Sequence, residues 1–506
     1  MPAAFINDDE VEIKRLEKLI GDYHIGGLCF FHSRASAATN YEGRKEVPYN
    51  EHSLAVLKKL ILRYQKIAKY PLLIAIDAEW GLAMRVENTP QYPYAITLGA
   101  LRNKGDLIYE MGRNIAMDCR KAGIHWNFAP VLDINTNPDN PVIGYRSFGE
   151  DKAIVVHKAK AYINGMEKEG VLTALKHFPG HGDTSEDSHL GLPLIAKSKK
   201  DLQANELYPF RELINSGADA VMVGHLAVPA LTQSEKIPTS ISEKAIKGVL
   251  RQEMGFKGIV VSDALNMHAV SKLFTTKGEL EWNAFNAGND VLCFAEHIPE
   301  GIEMINELAT DDQLEESFER FWSIKLRALK DARVAMRPLS ITPAALNAQF
   351  ALESLTLYSG IEVFKPLIEE GFVGIEISNT SDHPFFKTIQ GKVTFPIYSS
   401  SDSPLNEISL AIADAKNILL ALYPPKAKPQ NNFDIPAGEL SFIQQLILER
   451  NVVLYLFGSP YVLNLLNVQN AMAVVIAYQD LEVFQQHAAR HFSGEVKAKG
   501  KLPVNI

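Results

Sequence analysis

Short apolar runs alternate with amphipathic stretches through the first two thirds of the chain, and this alternation restricts the fold more than any other feature. The runs cover residues 24–31, 72–77, 127–135, 171–177, 220–226, 258–265 and 290–294. Continuous apolar runs separated by helical patterns are typical of a parallel sheet covered by helices. The chain therefore predicts a (β/α)8 TIM-type barrel in which one strand, the first, is not clear. Either this strand is a short one within residues 2–6, or Met1 is not the natural start.

A second pattern begins after a proline-rich break. A helical pattern over residues 311–336 ends before Pro338 and Pro343, and further apolar runs and helical patterns follow to the C-terminus. Prolines at such a position favour a linker. We expect a barrel domain over residues 1–336, a linker over 337–345 and a smaller open α/β sandwich domain over 346–506. A length of 506 residues fits two domains better than one.

Composition excludes several classes of function. The net charge of −9 offers no basic surface for nucleic acid or an anionic membrane. No apolar run is long enough to span a membrane, and the first residues lack a signal-peptide pattern. The three cysteines are far apart and predict reduced core residues. We expect a cytoplasmic monomer or homodimer, unless a signal peptide precedes Met1.

Polar residues follow several of the apolar runs at the same relative position. These residues are Asp77, the pair Lys176-His177, His225 and Asp263, and Arg146 lies in the loop after the run 127–135. In barrels the carboxyl ends of the strands carry the active site. One such Asp is often only a helix cap, but the recurrence favours a shared functional site.

The loop 176–189, KHFPGHGDTSEDSH, concentrates titratable groups after a buried run. Asp187 and His189 are two residues apart, so in an extended segment they point to one side. A carboxylate beside an imidazole suits a general acid or base. Ordinary local hydrogen bonding is the alternative interpretation for an isolated D-x-H sequence.

Other chemistries lack their signals. The loop contains possible metal ligands, but their spacing matches no known metal site, so we predict neither metal nor cofactor. No GxSxG, GxxxxGK[ST] or GxGxxG motif is present, which argues against serine hydrolases and the common nucleotide-binding folds. A barrel mouth with carboxylates, cations and histidines suits polyol recognition and acid/base work, as in sugar hydrolysis.

The loop KHFPGHGDTSEDSH, together with IDAEWGLAMR, NPVIGYRSFGED and VVSDALNM, resembles glycoside hydrolase family 3. Within that family the chain is similar to the NagZ-like β-N-acetylglucosaminidase (β-N-acetylhexosaminidase) branch. The resemblance covers about residues 72–294 and, more loosely, the C-terminal region. It implies a retaining exo-acting hydrolase of muropeptides or chitin-type oligosaccharides, with a small carbohydrate as its partner.

The resemblance also implies roles for individual residues. Asp263 matches the catalytic nucleophile, His189 the general acid/base and Asp187 its partner. The implied substrate-binding residues are Asp77, Arg85, Arg146, Lys176 and His177, and the position of His225 adds it to this set.

Three alternatives to hydrolysis of N-acetylglucosaminides stay open at this point. One is phosphorolysis, in which phosphate replaces water as the second nucleophile, and another is cleavage of β-glucosides. The third is a sugar-binding protein of the same fold without activity. The presence of Asp187, His189 and Asp263 argues against the third.

Overall fold

The computed structural model describes residues 1–32, 49–185, 191–360, 362 and 364–506. These residues divide into two compact units. The first comprises residues 1–92, 108–134 and 152–340, and the second comprises 93–107, 135–151 and 341–506. The boundaries predicted from the sequence treat each domain as one continuous segment. The second unit also takes in two earlier segments, because their side chains pack there; Asn135 Nδ2, for example, donates to Tyr461 Oη at 2.7 Å.

The first unit contains a set of parallel strands in the order of the sequence. They are β1 (Ala3–Phe5), β2 (Gly27–Phe31), β3 (Leu73–Ile76), β4 (Trp126–Asn127), β5 (Leu172–Thr173), β6 (Leu175–Phe178), β7 (Ala220–Val223) and β8 (Ile259–Ser262). Five of the predicted apolar runs contain one of these strands, the run 127–135 overlaps β4 only at Asn127, and the run 290–294 contains a bridge to β8. The predicted short first strand is β1, which pairs in parallel with β2.

Residues near the end of the barrel sequence close the ring of strands. Val291 forms a parallel bridge with Val261 of β8. On its other side, Phe294 donates its backbone N–H to Met1 O, and the Met1 amino group donates to Leu292 O, both at 2.9 Å. The fold is the predicted TIM-type barrel, in which the chain returns to its first strand.

Helices follow the strands of the first unit, as the amphipathic stretches predicted. The main ones are Glu10–Tyr23, Ser53–Ile67, Gly105–Ala122 (whose residues 108–122 belong to this unit), Lys152–Lys168, Lys199–Ala204, Leu207–Asn215, Pro229–Thr232, His268–Ser271, Glu279–Ala287, Ile298–Leu308 and Asp311–Asp331, with a π-helical segment at Lys244–Glu253. Short 3-10 turns lie at Leu82–Met84 and Thr239–Ile241. The long helix Asp311–Asp331 begins with a capping box, because Thr310 and Gln313 each bond to the other's backbone N–H. None of the helices within the described residues is long and apolar enough to cross a membrane.

The second unit is built on one mixed sheet. Its strands are β9 (Thr356–Gly360), β10 (Val373–Ile377), β11 (Ile397–Ser399), β12 (Asn417–Leu422), β13 (Asn451–Leu456) and β14 (Ala473–Ile476), in the spatial order β11-β10-β12-β13-β14-β9. All pairings are parallel except that of β14 with β9. The helices are Ala95–Gly99, Pro343–Ser354, Lys365–Glu370, Pro384–Gln390, Leu405–Ala411, Gln430–Phe433, Ala437–Glu449 and Glu482–Phe492, with 3-10 turns at Gly144–Arg146, Pro460–Leu465 and Val468–Asn470.

Both faces of this sheet are buried. Alternate residues of the central strand β12 belong to two different apolar clusters: Leu420 to one, Leu419 and Ala421 to the other. Side chains alternate across a strand, so each cluster lies on one face of the sheet. Two buried faces account for the continuous apolar runs in the sequence and confirm the predicted sandwich.

The central position of Leu420 generates a stability prediction. Leu420→Ala removes a side chain with no solvent exposure, so we expect its unit to lose about 2–5 kcal/mol of stability. Leu410→Ala, the same change at a side chain that is 76% exposed, should cost less than about 0.5 kcal/mol. Denaturant unfolding followed by circular dichroism measures both. Equal effects of the two substitutions would contradict the central place of β12.

Candidate active site

The carboxyl ends of the barrel strands gather polar side chains because parallel strands end at the same edge. Asp77 directly follows β3, Lys176 and His177 lie within β6, and Asp263 directly follows β8. His225 comes two residues after β7. The parallel registers β3–β4–β5 and β6–β7–β8 therefore bring these predicted residues to one end of the barrel.

Lys176 is the centre of a buried cluster of charges. Its Nζ lies 2.9 Å from Asp77 Oδ1 and 2.8 Å from Glu79 Oε1, and its side chain is only 2% exposed. Arg85 Nη2 donates to the second oxygen of Asp77 at 3.1 Å, and its guanidinium lies over the Phe31 ring, 3.9 Å from the ring centroid. Three of the predicted binding residues, Asp77, Arg85 and Lys176, thus lie in direct contact.

These contacts set the charge of Asp77. Burial raises the pKa of this carboxyl, but the charges of Lys176 and Arg85 outweigh that effect and hold the pKa below its usual value. At neutral pH Asp77 is therefore an ionised acceptor. Each of its oxygens has a further lone pair beyond the contact already made, so it can accept hydrogen bonds from hydroxyl groups.

A buried hydrogen-bond network holds the turn after β3. The side chain of Asn127 accepts from Ala78 N at 2.9 Å and donates to Ala78 O and to Tyr162 Oη. Tyr162 Oη also donates to Ala78 O at 3.1 Å. Ala78 lies between Asp77 and Glu79, so the network fixes the backbone that carries both carboxylates.

His177 faces a carboxylate that the sequence analysis did not select. Asp133 Oδ2 lies 2.7 Å from His177 Nδ1, and Asp133 Oδ1 accepts from the backbone N–H groups of His177 and His181 at 3.2 and 2.7 Å. Burial raises the pKa of Asp133, but its interactions with His177 and His181 outweigh that effect, so its pKa lies below its usual value. In the neutral ring of His177 this contact makes Nδ1 the protonated nitrogen.

Asp133 had a recognisable signal in the sequence. It lies near the end of the apolar run 127–135, in the same relative place as Asp77 and Asp263 in their runs. Glu79, which shares Lys176 with Asp77, belongs to the motif IDAEWGLAMR but was not predicted to have a role of its own. Its contact could not be deduced from spacing, because Lys176 is 97 residues away.

His181 lies next to His177 and was not among the predicted site residues. Its Nδ1 lies 2.7 Å from Thr184 Oγ1, and its ring centroid is 6.0 Å from that of His177. Burial lowers the pKa of His181 to about 4 against the opposing charges of Asp133 and Asp263. The ring is therefore neutral at physiological pH, and Asp263 is near enough for its charge to act on it.

Asp263 is held through its own turn. Its backbone N–H donates to Val223 O at 2.9 Å, and its Oδ1 accepts from Ala264 N at 2.8 Å. The side chain of Asp263 is partly exposed.

His225 supports the Asp263 turn. It is completely buried, with Nδ1 2.7 Å from Ser240 Oγ and Nε2 2.9 Å from Ala264 O. A carbonyl only accepts, so Nε2 carries the proton and donates to Ala264 O. Both ring nitrogens of His225 therefore contact protein groups. Direct contact of His225 with a substrate stays a prediction.

The roles of the remaining predicted residues stay predictions. Arg146 belongs to the second compact unit, where its Nη1 donates to Val142 O at 3.2 Å. Asp187 and His189 lie outside the described residues. Within the described segments, no group of three or more His, Cys, Asp or Glu side chains is arranged to hold a metal ion.

The buried cation generates a pH-dependent prediction. Lys176→Met leaves Asp77 and Glu79 without their shared partner, so we expect a loss of about 3–5 kcal/mol of stability at pH 7. The stabilisation from a carboxyl with a depressed pKa is present above its unfolded pKa of about 3.9 and is lost below the folded value. The pKa of Asp77 should rise in the variant, so Asp77 should take up a proton as the pH falls from 7 toward 4. The stability deficit of the variant relative to the wild type should therefore shrink over this range. Denaturant unfolding across that range measures the deficit.

Lys59→Met is the matched control for this experiment. Lys59 pairs with Asp8 at 3.7 Å, but both side chains are about 70% exposed, so its loss should have little effect at any pH. A deficit of the Lys176 variant that is the same at pH 7 and pH 4 would contradict the assignment.

The chain was also compared with known proteins. Residues 9–323 match the glycosyl hydrolase family 3 N-terminal domain. The sequence is 34% identical to the beta-hexosaminidase A of Pseudoalteromonas piscicida over 290 residues, which cover 54% of this chain and 46% of that protein. It is 36% identical to the beta-hexosaminidase of Xylella fastidiosa strain M23 over 227 residues, which cover 44% and 66%. This chain therefore spans between about half and two thirds of the length of these relatives.

A solved structure matches nearly the whole chain. It is a glycoside hydrolase family 3 beta-N-acetylglucosaminidase from Paenibacillus sp. str. FPU-7, with a TM-score of 0.79 and 26% sequence identity. The match covers 99% of this chain and 97% of that one, so it includes both compact units.

Proposed function

The chain belongs to glycosyl hydrolase family 3, and on that premise we propose that it is a retaining, exo-acting glycosidase that releases N-acetylglucosamine from β-linked muropeptide or chitin-type oligosaccharides. The observation that carries the proposal is the position of Asp263. Its partly exposed carboxylate ends β8 at the edge of the barrel that also holds the ion-paired Asp77, Arg85 and Lys176. A nucleophile beside hydroxyl-binding groups is the arrangement that a glycosidase needs.

In the first step the Asp263 carboxylate attacks the anomeric carbon of the sugar. The bond to the leaving oxygen breaks, and His189 donates the proton that this oxygen requires. The product is a glycosyl ester on Asp263 and a free alcohol. In the second step His189 takes a proton from water, the water oxygen attacks the anomeric carbon, and the Asp263 carboxylate leaves.

The other residues bind and orient the sugar. The ionised Asp77 accepts hydrogen bonds from sugar hydroxyl groups, while Arg85 and Lys176 keep it charged and donate to sugar oxygens. His177 is fixed by Asp133 in one tautomer and lies at the same edge of the barrel. Arg146 and Asp187 act as the family resemblance implies, with Arg146 binding substrate and Asp187 orienting His189.

A direct test of the nucleophile uses Asp263→Asn. The nearly isosteric amide cannot attack, so hydrolysis of an aryl β-N-acetylglucosaminide should fall by roughly 10⁴-fold or more. Asp22→Asn makes the same chemical change at an exposed helix residue and should leave the rate unchanged. Thermal unfolding of both variants checks that the fold is intact. Substantial residual turnover in the Asp263 variant would exclude this assignment.

The same assay discriminates between the alternative functions. Hydrolysis requires that the rate of sugar release does not depend on inorganic phosphate and that free N-acetylglucosamine is the product. A sugar 1-phosphate as the main product would replace hydrolysis by phosphorolysis. Faster cleavage of an aryl β-glucoside would change the substrate class, and binding of sugar without turnover would exclude an enzyme.

The acid/base role of His189 generates a sharper prediction. In His189→Ala, substrates with poor leaving groups should lose about 10²–10⁴-fold in rate, because they require the proton. Activated aryl substrates should keep a fast first step but lack the base for the second, so the glycosyl ester should accumulate and give a burst of product. Initial rates over a series of leaving groups measure this difference.

Two further variants, Asp187→Ala and the control His157→Ala, complete that experiment. Asp187→Ala should give a milder form of the same pattern, because Asp187 orients the imidazole without transferring the proton. His157→Ala, on the helix Lys152–Lys168, should change no rate. Equal losses across the leaving-group series in His189→Ala would mean that His189 only binds substrate.

A further inference from the structure

A cavity lies at the opposite end of the barrel from the candidate active site. Its volume is about 710 Å³, and its lining includes Phe256 and Lys257, which precede β8, and Asp290, which precedes the bridge at Val291. Gly258 and Asp263 flank β8, so this end is roughly 17 Å from the nucleophile at 3.3 Å per residue. The volume is within the usual range for small-molecule sites.

The cavity is positively charged although the chain as a whole is negative. Its lining includes four basic side chains, Lys247, Arg251, Lys257 and Arg320, and two carboxylates, Asp290 and Glu316. The net charge of the whole chain is −9. A concave basic surface on an acidic protein focuses the local field and attracts anions.

The internal ion pairs do not neutralise this charge. The Asp290 side chain is 1% exposed and contacts both Arg251 Nη2, at 2.6 Å, and Arg320 Nε, at 2.9 Å, so one carboxylate serves two guanidinium groups. Asp290 also accepts from Val260 N at 2.9 Å. Glu316 pairs with Arg320 at 3.3 Å, but it is 71% exposed and therefore screened by solvent.

Lysine side chains contribute differently at the rim. Lys247 Nζ lies 2.9 Å from Glu243, so its charge is compensated. Lys257 is exposed and forms no ion pair with any residue in the described part of the chain. The excess positive charge therefore belongs to the two arginines and Lys257. Burial and the neighbouring Arg320 charge lower the pKa of Arg251, although the Asp290 charge opposes this effect.

The arginines retain donors for a ligand. Contacts with described residues use Nη1 and Nη2 of Arg251 and Nε and Nη1 of Arg320, which leaves Arg251 Nε and Arg320 Nη2 without a partner there. Guanidinium groups prefer planar or tetrahedral oxyanions that accept several hydrogen bonds. Beside them, Gln252 offers an amide for hydroxyl groups, and the half-buried Phe285 offers an apolar wall.

We propose that this cavity binds a small phosphate monoester of a hydroxylated compound. The phosphate contacts Arg251, Arg320 and Lys257, and the rest of the ligand contacts Gln252 and Phe285. The site is separate from the glycosidase centre and does not depend on its activity.

Calorimetric titration of the full chain tests the proposal, with glucose 6-phosphate as the probe. We expect glucose 6-phosphate to bind, inorganic phosphate to bind more weakly, and glucose to give no heat. In Lys257→Gln/Arg320→Gln the dissociation constant for glucose 6-phosphate should rise at least about tenfold, since charge-assisted hydrogen bonds are lost. Lys330→Gln/Arg333→Gln, the same charge change at exposed residues near the end of the helix that carries Arg320, should leave it unchanged.

Further arms make the outcome decisive. Lys257→Gln alone serves as a second test in case the double variant does not fold, because Lys257 has no ion pair among the described residues. It should also weaken binding of glucose 6-phosphate. Saturating N-acetylglucosamine should not displace the probe, and Asp263→Asn should bind it normally. No heat at millimolar probe, displacement by N-acetylglucosamine, equal losses in the control variant, or glucuronate binding as tight as glucose 6-phosphate would each overturn the proposal.

Discussion

The candidate active site depends on one buried cation. Lys176 approaches Asp77 and Glu79 to within 3 Å, while almost none of its side chain contacts solvent. Two carboxylates this close would otherwise repel each other and take up protons. Because Lys176 belongs to β6 and both carboxylates follow β3, the ion pairs join two strands that are not direct neighbours. The ionised state of Asp77 and the geometry of the barrel mouth therefore have the same origin.

The two ends of the barrel use charge differently. At the carboxyl end, Asp77 forms ion pairs with Arg85 and Lys176, and Asp263 keeps a partly exposed side chain. At the amino end, both oxygens of Asp290 accept hydrogen bonds, which come from Arg251, Arg320 and the backbone of β8. Barrel enzymes place their chemistry at the first end, and strands can be tied together at the second without affecting catalysis.

Much of the fold was predictable because it follows from periodicity. The apolar runs contain most of the barrel strands, and the parallel register explains why Asp77, Lys176 and Asp263 share an edge. The antiparallel β9 was not predicted, because its side chains alternate between buried and partly exposed positions and form no continuous apolar run. The roles of Asp133 and Glu79 also escaped prediction, since each depends on contacts between residues far apart in sequence.

Asp133 has a consequence for how the site can be dissected. Its two oxygens bond to the His177 ring, to the His177 backbone and to the backbone of His181, which lies in the loop after β6. A side chain that fixes both a binding residue and the base of a loop couples them energetically. Substitutions at His177 and in the loop should therefore be non-additive, and a double-mutant cycle across Asp133 would report the coupling energy rather than two separate contributions. Variation at any one of these positions is constrained by the other two.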